Sequence, residues 1–161
     1  MAKGDIKIVD VGGANVPPIK TFRTEAGGTD ILAGEPVKLG GTGTNYVIPL
    51  ADGDPEIGTD IVFGVAASDS TQTALADGTV DVYLPLPGTV YRCAATTPAN
   101  LALGILNDCV TFDLSVGGVY TVDEDEGTDE TVHGLRIVDF DTVLGTVDFE
   151  LKQAGTRYGN V

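Results

Sequence analysis

The chain has a single histidine, His133, two cysteines, Cys93 and Cys109, and many carboxylates. A histidine-based nucleophilic site needs a hydroxyl or thiol held against the imidazole. Ser115, Cys93 and Cys109 are the nucleophiles considered, and none lies in a nucleophile-elbow or papain-like context. His133 follows the run Asp123-Glu124-Asp125-Glu126-Gly127-Thr128-Asp129-Glu130, which reads as a solvated loop. There is no P-loop, no dinucleotide-binding glycine fingerprint and no Cys-x-x-Cys. Carboxylate pairs abound, but a chain this acidic makes them by chance, and an acid–base pair also needs a cleft. The expectation is a protein that is not an enzyme.

Metal binding has one better candidate. The stretch 52–60 places Asp52, Asp54, Glu56 and Asp60 where their oxygens could meet a calcium ion. The sharp-turn glycine falls one place late, however, and no ligating Glu follows at the twelfth position. A Pro/Gly turn between two strands accounts for the same residues. No metal and no cofactor is therefore expected. Cys93 and Cys109 read as reduced, buried thiols acting as small apolar residues, although sequence alone does not position a disulfide.

The elements that would carry these residues are strands. Ile31–Leu39 suggests a turn entering a strand, and Tyr46–Leu50 a second short one. Ile61–Ala67 is a continuous apolar run, the pattern of a strand buried on both faces. Val80, Val82, Leu84 and Leu86 alternate with Asp81, Tyr83, Pro85 and Pro87, the period of a half-buried strand ending at a sheet edge. Val110–Val116 and Val119–Val122 flank Gly117-Gly118, a hairpin with a two-residue turn. Further strands are expected around Leu135–Val138 and Val147–Leu151. Helix is confined to single turns, at Thr97–Leu103 and Ser70–Leu75. The fold class is all-β: a small β-barrel or sandwich body over residues 29–152, divisible into lobes at 29–96 and 97–152, with a C-terminal tail at 153–161.

Residues 1–28 read differently. They are rich in breakers, including Pro17-Pro18 and Gly27-Gly28, and carry few apolar residues. The expectation is an extended N-terminal arm outside the body. Net charge is −15, unevenly spread. Residues 1–28 hold four basic groups against three acidic ones, whereas 29–151 hold three against 21. A surface this acidic repels a phosphate backbone and an anionic membrane, so neither nucleic acid nor membrane is an expected partner. No apolar stretch approaches the roughly 20 residues of a spanning helix. Met1-Ala2-Lys3-Gly4-Asp5 leads into no apolar signal region, so cytoplasmic synthesis is expected.

Residues 29–113 resemble the small β proteins encoded beside the major capsid proteins of tailed bacteriophages. The resemblance is carried by Ile31-Leu32-Ala33-Gly34-Glu35-Pro36-Val37, then Phe63-Gly64-Val65-Ala66-Ala67, then Ala76-Asp77-Gly78-Thr79-Val80-Asp81-Val82, with the Ser/Thr-rich link 68–73 between the last two. It implies a capsid decoration (cement) protein on the outer capsid surface of a virion. Such a protein binds the major capsid protein, braces neighbouring capsomers and often acts as a trimer. It implies no catalytic residues.

On that reading the arm is the capsid latch. Ile6, Ile8, Val9, Ile19 and Phe22 would be its apolar anchors, Pro17 and Pro18 its stiff middle, and Lys3, Lys7, Lys20 and Arg23 its charged contacts. Removing 1–23 should then leave the body folded. Another virion part, such as a tail or head-fibre protein, and a carbohydrate-binding β module are the alternative readings.

Overall fold

The computed structural model describes residues 6–12, 17–41, 45–115, 117–126 and 129–152. Twelve strands are present among them: β1 (Lys7–Val11), β2 (Ile19–Thr24), β3 (Pro36–Leu39), β4 (Val47–Pro49), β5 (Val62–Ala66), β6 (Gly78–Tyr83), β7 (Thr89–Ala94), β8 (Cys109–Val110), β9 (Phe112–Leu114), β10 (Tyr120–Val122), β11 (Leu135–Asp141) and β12 (Thr146–Leu151). The expected helical segment at 97–103 is two single 3-10 turns, Pro98–Asn100 and Leu103–Ile105. Ser70–Leu75 forms no helix. The all-β class is therefore as expected.

The strands form two five-stranded antiparallel sheets and a two-stranded ribbon. The first sheet runs β2-β6-β5-β3-β4 and the second β1-β7-β12-β11-β8, with β9 and β10 as the ribbon. The first sheet curls on itself: Arg23 on β2 makes a single parallel bridge to Tyr46, just ahead of β4. That contact brings the outer strands together into a nearly closed barrel, which leaves little free edge.

Each assembly has its own core. Phe22, Ile31, Val37, Val47, Phe63, Ala66, Val80 and Val82 fill the barrel, with Phe22 edge-on to Phe63 at 4.5 Å between ring centres. The second core stacks Tyr91 on Phe149 and sets Phe112 edge-on to both Phe149 and Tyr120. β5 belongs to both cores. All five of its residues are buried; Phe63 and Ala66 face the barrel, and Val62 and Val65 face the second core. A one-residue irregularity opposite Val37/Lys38 lets Val62 and Val65 share a face. Gly64 supplies the required backbone at φ 139°, and a Cβ there would fall 1.9 Å from the Tyr83 carbonyl oxygen.

Three sequence expectations need correction. The segment 1–28 is not an arm outside the body. β1 pairs with β7 and β2 with β6 along their whole lengths, and Ile6 and Phe22 are core residues. The chain passes from one assembly to the other after β6, which ends at Tyr83, rather than at 96/97, and β1 joins the later strands. The β9–β10 hairpin is real, but the Ser115 N–H donates to the Val119 carbonyl at 3.1 Å, so its turn is not the two residues Gly117-Gly118 alone; Gly118 is left-handed at φ 74°. Val110 belongs to β8 in the second sheet. The tail at 153–161 lies outside the described residues.

Because β1 and β2 complete the two sheets, deleting 1–23 should abolish the cooperative thermal transition followed by circular dichroism rather than leave a folded body. Phe22→Ala alone should cost about 3–5 kcal/mol in urea unfolding, the usual range for a buried aromatic.

Candidate functional site

The residues expected to form a latch are divided between core and surface. Ile6 and Phe22 are buried and cannot serve as anchors for a partner. Ile8 packs, half-buried, against the second core. Pro18 uses its carbonyl to accept the Leu84 N–H at 2.8 Å, so it extends the pairing of β2 with β6. Lys3 lies outside the described residues. The others remain on the surface in two places: Lys7 and Val9 on β1, with the half-buried Pro17 lining the same cleft as Lys7, and Ile19, Lys20 and Arg23 on β2.

β2 presents Ile19, Thr21 and Arg23 outward, while Phe22 and Thr24 point into the barrel. Ile19 is 53% exposed. Thr21 donates its hydroxyl hydrogen to Asp81 at 2.6 Å. Arg23 stacks over the Tyr46 ring at 4.8 Å and pairs with Asp77 at 2.8 Å. The Tyr46 hydroxyl also donates to Asp77, and with the Ala26 N–H and Arg23 it holds the Asp77 carboxyl below the usual carboxylate range. Lys20 lies 5.4 Å from the centre of the Phe22 ring and makes no ion pair with a described residue. Two residues before Asp77, Leu75 stands 95% exposed on a turn held by Thr73, whose Oγ1 accepts the Ala76 N–H at 3.1 Å. β2 therefore carries Ile19 and the paired Arg23 on its outer face and exposed Lys20 on the side of Phe22, in a chain of net charge −15.

The calcium candidates are occupied differently. The Lys38 ammonium on β3 reaches Asp54 at 2.6 Å and Asp60 at 2.7 Å, taking the place between those carboxylates that a cation would need. Asp52 instead accepts the Leu114 N–H at 2.9 Å, and Glu56 is exposed. Among the described residues no cluster of three His, Cys, Asp or Glu side chains could hold a metal. Burial pulls the Lys38 pKa down, but its bonds to the two aspartates hold it above the ordinary lysine value. Desolvation pushes Asp54 up, helped by the neighbouring Asp60. Desolvation also acts on Asp60, yet the Glu56 N–H and Lys38 outweigh it and hold Asp60 below the carboxylate range.

The remaining reactive groups are packed into the body. Cys93 and Cys109 are buried thiols, neither in a disulfide. His133 Nδ1 meets the Cys109 carbonyl oxygen at 2.9 Å. The acidic run is less solvated than expected: Glu124 is buried and accepts the N–H groups of Thr96 and Thr97 at 3.0 and 2.8 Å. What sequence reading passed over is a set of exposed aliphatic side chains on turns, namely Leu75, Leu103, Val143 and Leu144. The signal was available, since consecutive aliphatics such as Val143-Leu144 inside a turn break the polar pattern of loops.

No known family model matches the chain. A search of curated proteins gives no match either. No helix among the described residues is long and apolar enough to cross a membrane.

Replacing Lys38 tests the triad. Lys38→Met leaves two carboxylates facing each other, which raises both folded-state pKa values above their unfolded ones. The resulting instability is full above those raised values and fades as pH falls towards the unfolded value near about 4. The variant should lose about 2–3 kcal/mol at pH 7, less than the roughly 3–5 kcal/mol of a fully buried pair. Urea melts at pH 7 and pH 5 should show the deficit shrinking at the lower pH.

Proposed function

We propose that the chain is a non-catalytic structural protein of a virus particle. In this reading it is a decoration protein that binds the major capsid protein on the outer face of the shell, braces adjacent capsomers and self-associates as a trimer. The observation that carries the reading is β2 itself, where exposed Ile19 and Arg23 point outward and exposed Lys20 stands near the strand's start on the side of Phe22, on a rigid barrel wall in a chain of net charge −15. An acidic body keeps crowded copies from aggregating, while a local basic and aliphatic face draws it to an acidic shell. The resemblance over 29–113 points the same way.

The contact surface differs from a mobile arm in its energetics. A strand already fixed in a sheet loses little conformational entropy on docking, so modest contacts yield useful affinity. Repeated copies on a lattice then multiply the effect without new contacts.

Ile19→Asp with Lys20→Glu changes two exposed side chains and should leave the fold intact. Co-sedimentation with undecorated capsids of the encoding virus should show at least a tenfold loss of affinity, about 1.4 kcal/mol. Wild-type binding should also weaken as salt rises. Unchanged binding by the double variant would remove β2 as the capsid-facing surface.

A further inference from the structure

The β11–β12 hairpin ends in a rigid apolar knob. Asp141 Oδ1 accepts the N–H groups of Val143 and Leu144 at 2.8 and 2.9 Å, and the Gly145 N–H closes onto the Asp141 carbonyl at 2.8 Å. Gly145 is left-handed at φ 66°, and a Cβ there would lie 3.1 Å from Pro98 Cβ on the first 3-10 turn. The Ala95 N–H also donates to the Gly145 carbonyl at 3.0 Å. The turn is thus ordered by polar bonds and by its seat on residues 95–98. Its two aliphatic side chains take no part in that ordering: Val143 is 91% and Leu144 65% exposed. Leu103, shortly beyond the same 3-10 turn, is 79% exposed. Clustered aliphatics held out on a fixed tip mark a contact surface.

Charge narrows what can cover it. Asp139 and Asp141 flank the knob, and Arg92, whose charge they feel, is already paired with Asp148 at 2.6 Å. Two knobs would repel each other. A cleft of about 370 Å³ beside Leu50 and Tyr120 is lined by Asp30 and Glu35 and carries the wrong sign. A cleft of about 350 Å³ beside Lys20 and Arg23 has cations, but Arg23 is already paired with Asp77 and Phe22 is its one apolar side chain. A further cleft, of about 490 Å³, lies between β1 and β5, lined by Ile6, Ile8, Pro17, Val65 and Tyr83. Its wall carries Lys7, which makes no ion pair with a described residue.

We propose that Val143 and Leu144 of one copy seat in the Lys7 cleft of the next, with Asp139 facing Lys7. This rests on the self-association in the reading above and names its interface. Knob and cleft are different patches, so the contact is heterologous and closes into a ring when the rotation between copies allows. Each copy in a ring gives one knob and receives one, which doubles the surface it buries. The single contact is small, so association should depend strongly on concentration.

Light scattering of the full chain over a concentration series tests this. Wild type should shift from monomer to oligomer, and Val143→Asp with Leu144→Asp should remain monomeric with an unchanged circular dichroism spectrum. Lys7→Asp should weaken association at least tenfold, and adding Asp139→Lys should restore it. Mixing a Leu144→Cys copy with a differently tagged Ala67→Cys copy, whose new thiol lines the cleft, should give a disulfide between the two tags under mild oxidation. The proposal is overturned if the knob variant still oligomerises, or if wild type is monomeric throughout and the mixed pair fails to cross-link even on capsids. Capsid co-sedimentation is read separately. Loss of capsid binding by the knob variant with its oligomer intact would assign the knob to the shell and also overturn the proposal. Loss only by the β2 variant bears on the capsid reading alone.

Discussion

The structure depends on one strand having no solvent face. β5 is the common wall of two hydrophobic cores, and every one of its side chains is committed to one core or the other. Such a strand tolerates little change, because a slip of one residue would exchange the two sets of contacts. Gly64 makes the arrangement feasible. With no Cβ, it lets the Tyr83 carbonyl approach where any side chain would collide, and its positive φ produces the local break in alternation that sends Phe63 one way and Val62 with Val65 the other.

Around that wall, polar groups join what apolar packing leaves apart. The Tyr120 hydroxyl on the ribbon donates to the Leu50 carbonyl at 2.6 Å, linking the second core to the end of β4. Lys38 ties β3 to the 54–60 loop, and the Phe112 N–H donates to the Asp54 carbonyl at 2.7 Å. The acidic loop 123–126 is drawn inward by Glu124 and by Glu126, which accepts from both the N–H and the hydroxyl of Thr111. Much of the negative charge therefore has internal work in satisfying N–H donors, so net charge alone is a poor guide to how much acid the surface presents.

What could be read from sequence followed from how strongly each strand is buried. β5 was legible as an unbroken apolar run, and β6 as alternation at Val80 and Val82, because a core imposes those patterns directly. β1 and β2 were not. They lie at the margins of their sheets, β2 turns only Phe22 and Thr24 inward, and nearby Pro and Gly residues give the signature of a linker. The Lys38 triad was hidden for another reason: the aspartate spacing in 52–60 suggests a cation, and the cation proves to be a lysine brought from β3 by the fold. The capsid-facing candidates on β2 were named from sequence, but their presentation on a rigid wall follows only from pairing with β6.

The pairing of β1 and β2 also sets an order of events during synthesis. Translation delivers these strands first, yet Ile8 must wait for Tyr91 and Phe22 for Val80 before either can enter a sheet. The second sheet waits longer still, since Tyr91 itself lies beside Phe149 near the end of the described chain. Closing such long loops before any contact rewards them makes assembly slow compared with a fold built from neighbouring segments. β1 and β2 thus stay unpaired until β7 and β6 have been made. The charged and threonine residues interleaved with their apolar ones, and the Pro17-Pro18 pair between them, suit that wait, because a charge-broken, proline-interrupted segment offers little for a neighbouring nascent chain to stick to.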